Sequence, residues 1–403
     1  MTKSHDVLVA ENEAYIREIC VAREAQDITA QLVVEQFITV EQILSHLEVA
    51  KAQAEAAQKS TEVRNQFIKQ VFGRYLSDDV VANLLESPSG LKLGGDRRTV
   101  SIMMTDLRGF TALCEQLSAE AVVSMLNTYL EKMTEIIMKH GGTIDEFIGD
   151  AILVIFGAPV VHDDDALRAV ACAVDMQLAM DGVNRQFREA GHPEVEMGIG
   201  INTGEVVVGN IGSTRRAKYG VVGRTVNLTS RIESYSVGSQ ILISDSTARA
   251  CGDVLELGRS MEARPKGVDQ TITIHEVTGV GGPYDLRLAM LGAPVFSQLT
   301  PPLSLAFEVL DGKHSGVETT SGTMVALSEK FAILEAASLP PLYGNLKASV
   351  YDAGNGIVTD KLYAKVVDDV PVEGHLCLIR FTSVPDSARQ HFDRLLRRVD
   401  VAA

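Results

Sequence analysis

Residues Arg97 to Phe156 read RRTVSIMMTDLRGFTALCEQLSAEAVVSMLNTYLEKMTEIIMKHGGTIDEFIGDAILVIF. The apolar run Val100 to Thr105 predicts a strand that ends in Asp106-Leu107-Arg108-Gly109-Phe110. Val122, Leu126, Tyr129, Met133 and Ile136 or Ile137 then recur at helical spacing, and Gly141-Gly142 supplies the stop. Ile148-Gly149-Asp150-Ala151 reads as a tight hairpin. A strand, a helix and a hairpin bring Asp106 and Asp150 to one edge of a sheet. Two carboxylates at one point repel unless a cation lies between them, and hard oxygen ligands select Mg²⁺ or Mn²⁺. The Gly109 turn at a helix start offers free N–H groups to phosphate. Two turn aspartates that merely cap structure fit the same residues.

Downstream, Asp163-Asp164-Asp165 starts a helix carrying Val170, Val174, Met176, Leu178 and Phe187, which Gly191 ends. Glu194 to Asn202 is a strand with Met197, Ile199 and Ile201 on one face, and Val206 to Val208 pairs next. Tyr219 to Val222 leads into a helix over Val226 to Tyr235; Gln240 to Ser244 and Thr271 to Val277 are the last strands. The β-α-β-β-α-β alternation predicts an α+β sandwich of the ferredoxin-like kind.

Four segments, TDLRGFT, FIGDAILVIFGAP, GIGINTGEVVVGNIG and VVGRTVNLTSR, occur in one order within Gly94 to Val277. In sequence and order they resemble the catalytic domain of class III nucleotide cyclases. The resemblance implies that a ribose 3′-hydroxyl attacks the α-phosphorus and pyrophosphate leaves, with two Mg²⁺ or Mn²⁺ ions per site. It makes Asp106, Asp150 and the Leu107 carbonyl metal ligands, and Gly109, Phe110 and Thr111 a phosphate loop. Asn227 and Arg231, four apart on one helix face, match the pair that orients the ribose and neutralises charge on the α-phosphate. Lys266 matches a lysine that holds the terminal phosphates. Arg215 or Arg216, with Arg215 favoured, matches a phosphate-binding arginine.

The base-reading positions depart from the adenylate pattern, which has Lys three residues before the Gly-Asp and Asp or Thr after the later Tyr. This chain has Glu146 and Gly220 there. A carboxylate accepts both guanine donors but faces adenine N1 acceptor to acceptor, and such mismatches can cost about 10⁴-fold. Guanylate cyclases carry Glu at the first position but Cys or Ser at the second, so Gly220 leaves the degree of selectivity open. The expectation is a guanylate cyclase acting on GTP. An adenylate or mixed cyclase acting on ATP is the alternative, and a nucleotide-sensing scaffold the third reading. Family active sites lie between two catalytic domains, so a chain carrying both half-sites implies a homodimer.

The flanks divide the 403 residues further. Residues 1–75 lack Pro and, up to Gly73, Gly; Val33, Phe37, Val40, Leu44 and Leu47 follow a 4-3-4-3 spacing that predicts a coiled-coil dimerisation region. Its seam continues through Lys51, Gln58 and Asn65, a soft centre, while Met1 to Ala30 reads as a separate helix or a partly disordered stretch. Residues 76–94 are a connector, 95–278 the catalytic domain and 279–286 a Gly-rich linker. Residues 287–403 alternate short apolar runs with turns and predict a small, mainly-β barrel ended by a helix over Ser387 to Val399. Its ending faintly resembles a PilZ domain that has lost its ligand: no arginine pair precedes the barrel, and Ser328 lacks the surrounding acid and Gly.

A net charge of −16 argues against nucleic acid or anionic membrane as the main partner. The five cysteines, Cys20, Cys114, Cys172, Cys251 and Cys377, are scattered, as reduced thiols in a cytoplasm are. No run reaches the ~18 apolar residues of a membrane span. The expectation is a cytoplasmic protein without membrane insertion.

Overall fold

The computed structural model describes residues 5–72, 80, 92–265, 270–289, 294–310, 319–354, 356–367 and 374–400. The chain divides into two units, Met1–Tyr75 and Leu76–Ala403.

The first unit is one helix, α1 (His5–Phe72). The expected break near Ala30 is absent: His5 to Ala30 continues the same helix, since no Pro or Gly interrupts it. The seam residues are uncovered, with Val33 60%, Phe37 66% and Leu47 64% exposed. Most of the 76–94 connector lies outside the described residues.

In the second unit, β1 (Gly94–Arg108) is followed by α2 (Phe110–Cys114), α3 (Ala119–Lys139), β2 (Thr143–Ile148) and β3 (Ala151–Phe156). Then come α4 (Asp165–Glu189), β4 (Glu196–Ser213), β5 (Arg216–Val222), α5 (Arg224–Tyr235), β6 (Ile241–Ser244) and α6 (Asp245–Cys251). β7 (Leu255–Ala263), β8 (Ile272–Val280) and β9 (Leu286–Arg287) complete the sheet. The order β2-β3-β1-β4 is antiparallel throughout, the ferredoxin-like α+β arrangement, and β6, β8 and β7 extend it beyond β4.

Alternation along β1 explains its central place. Met103, Thr105 and Leu107 point to the face under α3 and α4, and Val100 and Ile102 to the other; all are buried. Helix α3 starts at Ser118, whose hydroxyl accepts from Ala121 N at 3.3 Å. It buries Met125, Tyr129, Met133, Ile136 and Ile137, with Val122 and Leu126 at the margin. Along α4, Ala169, Val170, Ala171, Cys172, Ala173, Val174 and Met176 are all buried, and the run of small residues up to Val174 lets the helix sit deep. Leu178, expected on its inner face, is 42% exposed.

Two expected strands, Glu194–Asn202 and Val206–Val208, are one continuous β4, paired with β1 from Glu196 to Asn210. Helix α5 rests on β4 where glycines remove side chains. A Cβ on Gly200 would collide with the Glu233 backbone, one on Gly198 with Arg108 and Ser236, and one on Gly204 would lie 2.9 Å from Thr225 Oγ1. The 281–285 stretch turns β8 back into β9, which pairs with it through Gly279↔Arg287 and Val280↔Leu286.

Beyond it, β10 (Ser297–Leu310), β11 (Thr319–Leu327), β12 (Phe331–Ala336), β13 (Asn345–Asp352), β14 (Gly356–Val367) and β15 (Leu376–Ser383) close a six-stranded barrel. Its core includes Leu305, Phe307, Leu334, Leu362 and Ile379. Helix α7 (Asp386–Asp400) covers it with Ala388 and Phe392, and Phe392 stacks on Phe381 at 5.6 Å.

Candidate active site

The turn between β2 and β3 is only Gly149 and Asp150, and Gly149 takes φ 67, which glycine adopts without strain. Thr105 pairs with Ile152 across β1 and β3, so Asp150 arrives beside the end of β1. There Leu107 N donates to Asp150 Oδ2 at 3.1 Å. Asp106, next along, keeps 37% of its side chain exposed and accepts from Arg108 Nη1 at 3.0 Å. Both carboxylates act on Tyr129 below them: burial first, then Asp150 and Asp106, push its phenol well above the ordinary range. Gly109, at φ 71, then turns the chain into α2, with Phe110 buried and Thr111 exposed.

The donor set is two carboxylates and the Leu107 carbonyl, all hard oxygens. No group of three or more His, Cys, Asp or Glu residues suited to a metal occurs among the described residues. That composition fits Mg²⁺ or Mn²⁺, which are held by one or two carboxylates with substrate phosphates and water completing the shell. It does not fit an all-protein cage.

Arg108 ties this loop to α5. Its guanidinium meets the Glu233 carboxylate, donates to Glu233 O at 3.1 Å and reaches Ser236 Oγ at 2.6 Å. On α5, Thr225, Thr229, Ile232 and Glu233 face inward. Asn227 and Arg231 lie on the opposite, exposed face, as their spacing requires.

The second cluster joins β2 to β5. Asp145 is the extra residue of a bulge, since Ile144 pairs with Val154 and Glu146 with Leu153. Lys218 Nζ donates to Asp145 Oδ2 at 2.9 Å and to Glu146 Oε2 at 3.0 Å. Burial lowers the Lys218 ammonium's affinity for its proton, but the two carboxylates outweigh it and hold its pKa up. Burial pushes the Asp145 carboxyl up against the pull of Lys218, and Asp145 Oδ1 has no hydrogen-bond partner among the described residues. Gly220 faces that oxygen: a Cβ there would lie 2.6 Å from Asp145 Oδ1. The Asp145 carboxyl therefore fills the space a side chain at 220 would take. Sequence reasoning missed Asp145 and Lys218. The available signal was the i, i+2 relation of Lys218 and Gly220 on one strand face.

Arg215 sits exposed in the turn between β4 and β5, next to Arg216 at the start of β5. Lys266 lies outside the described residues.

Comparison with known proteins matches residues 95–273 to the adenylate and guanylate cyclase catalytic domain. Adenylate cyclase 1 of Rhizobium meliloti (strain 1021) is 33% identical over 211 residues, 52% of this chain and 32% of that protein. Adenylate cyclase of Anabaena cylindrica is 36% identical over 189 residues, 45% of this chain and 37% of that protein. The chain thus spans about a third of the length of these two relatives. Among solved structures, the guanylyl cyclase Cya2 is 58% identical with TM-score 0.48, covering 49% of this chain and 100% of that one. The adenylyl cyclase CyaB from P. aeruginosa is 39% identical with TM-score 0.46, covering 48% of this chain and 100% of that one.

Proposed function

The chain belongs to the class III nucleotide cyclase family, and from that premise we propose that it converts GTP to 3′,5′-cyclic GMP and pyrophosphate as a homodimer. The observation that carries the choice of GTP is Glu146, a carboxylate at the base-reading position, held in place by Lys218.

In this reading Asp106, Asp150 and the Leu107 carbonyl would hold two Mg²⁺ or Mn²⁺ ions, whose chemistry when bound would be to lower the pKa of the ribose hydroxyl and neutralise phosphate charge. The backbone N–H groups of Gly109, Phe110 and Thr111 face the phosphates, with Arg215 and Lys266 at their outer oxygens. Asn227 fixes the ribose so that its 3′-oxygen lies in line with the α-phosphorus. The oxygen–phosphorus bond forms as the bond to the β-phosphate bridging oxygen breaks; pyrophosphate carries off the bonding pair and the hydroxyl proton passes to solvent. Arg231 donates to the α-phosphate oxygens as their charge grows, a contact strongest in the transition state. Glu146 accepts from guanine N1 and N2. Asp145, filling the space beside Gly220, adds a carboxyl to the same rim.

The dimer follows from the division of roles. One protomer supplies the metal carboxylates; the other supplies the base-reading rim, Asn227, Arg231 and Lys266. Phe147, Ile148, Val207, Ile211 and Val222 are uncovered apolar residues on β2, β4 and β5, 37–56% exposed. A partner domain seated there would bury them.

The test incubates purified full-length protein with GTP or ATP and Mn²⁺ and identifies the product. Cyclic GMP is expected, with kcat/KM at least about tenfold above that for ATP. Equal turnover, or a preference for ATP, would instead support the adenylate or mixed reading that Gly220 leaves open.

A further inference from the structure

Lys365, on β14, is one of the largest fully buried side chains among the described residues, at 1% exposure. Lysine is rarely buried to this degree without a partner. Its partners lie outside the barrel: Nζ donates to Ser234 O at 2.6 Å and to Ser236 O at 2.7 Å. Both carbonyls belong to the C-terminal end of α5, where a helix leaves acceptors unpaired and a donor or cation is favoured. Burial, with Arg108 adding to it, lowers the Lys365 pKa to about 7, against the pull of Glu233 and Asp106. A neutral amine still carries two N–H groups for the two carbonyls, so the cap does not depend on the proton.

Other contacts fix the same turn. Val237 packs with Val367 and Leu378 of the barrel, and Tyr235 meets Tyr343 edge-on at 5.4 Å. Arg380 Nη2 donates to Gly238 O at 2.8 Å and to Glu196 Oε2 at 3.1 Å. On the far side, Arg108 grips Glu233 and Ser236 while holding Asp106. The end of β15 also presses on the turn after Asp106, where a Cβ on Gly109 would collide with Thr382 O and lie 2.9 Å from Ser383 Cβ.

We infer that the barrel is a brace for the catalytic helix, and that Lys365 is a positioning residue for the proposed cyclase reaction, acting through the last turn of α5. The inference rests on the roles proposed for Asn227 and Arg231. Arg231 stands three residues before one capped carbonyl and five before the other. A displacement of about 1 Å in such a group can cost ~10²-fold in rate. Because Arg231 acts mainly in the transition state, loss of the cap should lower kcat and leave KM nearly unchanged.

The experiment compares three full-length proteins: unaltered, Lys365→Met, and Leu362→Ala, which removes a side chain from the barrel core. Melting temperature, kcat, KM for GTP and hydrogen exchange of α5 amides are measured. Expected for Lys365→Met are a kcat lower by about tenfold, KM within about twofold and faster exchange in residues 232–236. Leu362→Ala should lose comparable thermal stability and keep its kcat. If Lys365→Met fails to fold, Lys365→Gln, with N–H donors on a shorter chain, replaces it with the same expected direction. An unchanged kcat in the Lys365 variant, or an equal loss in Leu362→Ala, overturns the inference. No product from the unaltered protein overturns the cyclase reading and this inference with it.

Discussion

Replacing Lys218 with Met removes the one cation shared by Asp145 and Glu146, 2.9 and 3.0 Å away. The Asp145 side chain is 4% exposed and the Lys218 side chain 42%. Stranding a fully buried carboxylate costs about 3–5 kcal/mol. Water reaches the ammonium side of this pair and screens it, so about 1–2 kcal/mol of stability is expected to go. The loss should depend on pH in a definite direction. Burial already holds the Asp145 carboxyl above its ordinary value, with Lys218 opposing. Without Lys218 it rises further. Between its unfolded and folded pKa values the folded chain then binds more protons than the unfolded one, so stability falls as pH rises through that window. The variant's melting deficit should be smaller at about pH 5 than at about pH 8. The second effect is on the base. Glu146 loses its tether, and the ratio of kcat/KM for GTP over ATP should drop about tenfold, or ~1.4 kcal/mol. Adding Asp145→Asn removes the stranded charge, and should restore melting without restoring the ratio. A Lys218→Met protein with the unaltered ratio would refute the argument that Lys218 holds Glu146 for base reading.

Two further outcomes follow from the same geometry. Asp106→Ala and Asn227→Ala proteins should each be inactive, and mixing them under subunit exchange should restore up to about a quarter of the activity, since a mixed dimer keeps one intact site of two; verified mixed dimers without activity would contradict sites shared between protomers. Changing Lys51, Gln58 and Asn65 to Leu should tighten dimerisation and hold turnover constant over a protein dilution series, read by sedimentation beside product formation; a protein lacking residues 1–75 that dimerises and turns over like the whole chain across that series would make α1 an inert extension.

Much of the catalytic fold was legible because its signals are local. Gly149-Asp150 between two apolar runs allows little but a hairpin, and the spacing from Val122 to Ile137 marks a helix whichever residues lie deepest. The strand β4 was read as two because Thr203-Gly204 looks like punctuation; pairing with β1 carries the chain straight through it. Strand β7 and helix α6 went unread, being short elements whose stability comes from packing rather than pattern. Within the site, Asp106, Asp150, Asn227 and Arg231 stood out by motif. Asp145 did not, because its place depends on a bulge that no residue type announces. No motif or spacing marks Lys365, and only the folded chain shows what it caps.

Helix α5 lies on β4 at Gly200 with backbone against backbone. The closest approach of Asn227 and Arg231 to the sheet is therefore limited by main-chain atoms, while Lys365 holds the last turn of their helix from the other side. Residues around them, including the rim formed by Asp145, Glu146, Lys218 and Gly220, are free to vary without resetting that limit. On the proposed roles, selectivity for the base and placement of the reacting phosphate are thus mechanically separate. A lineage carrying this scaffold can exchange one nucleobase for another by small changes on β2 and β5, while a single added methyl group at Gly200 would lift the machinery common to both.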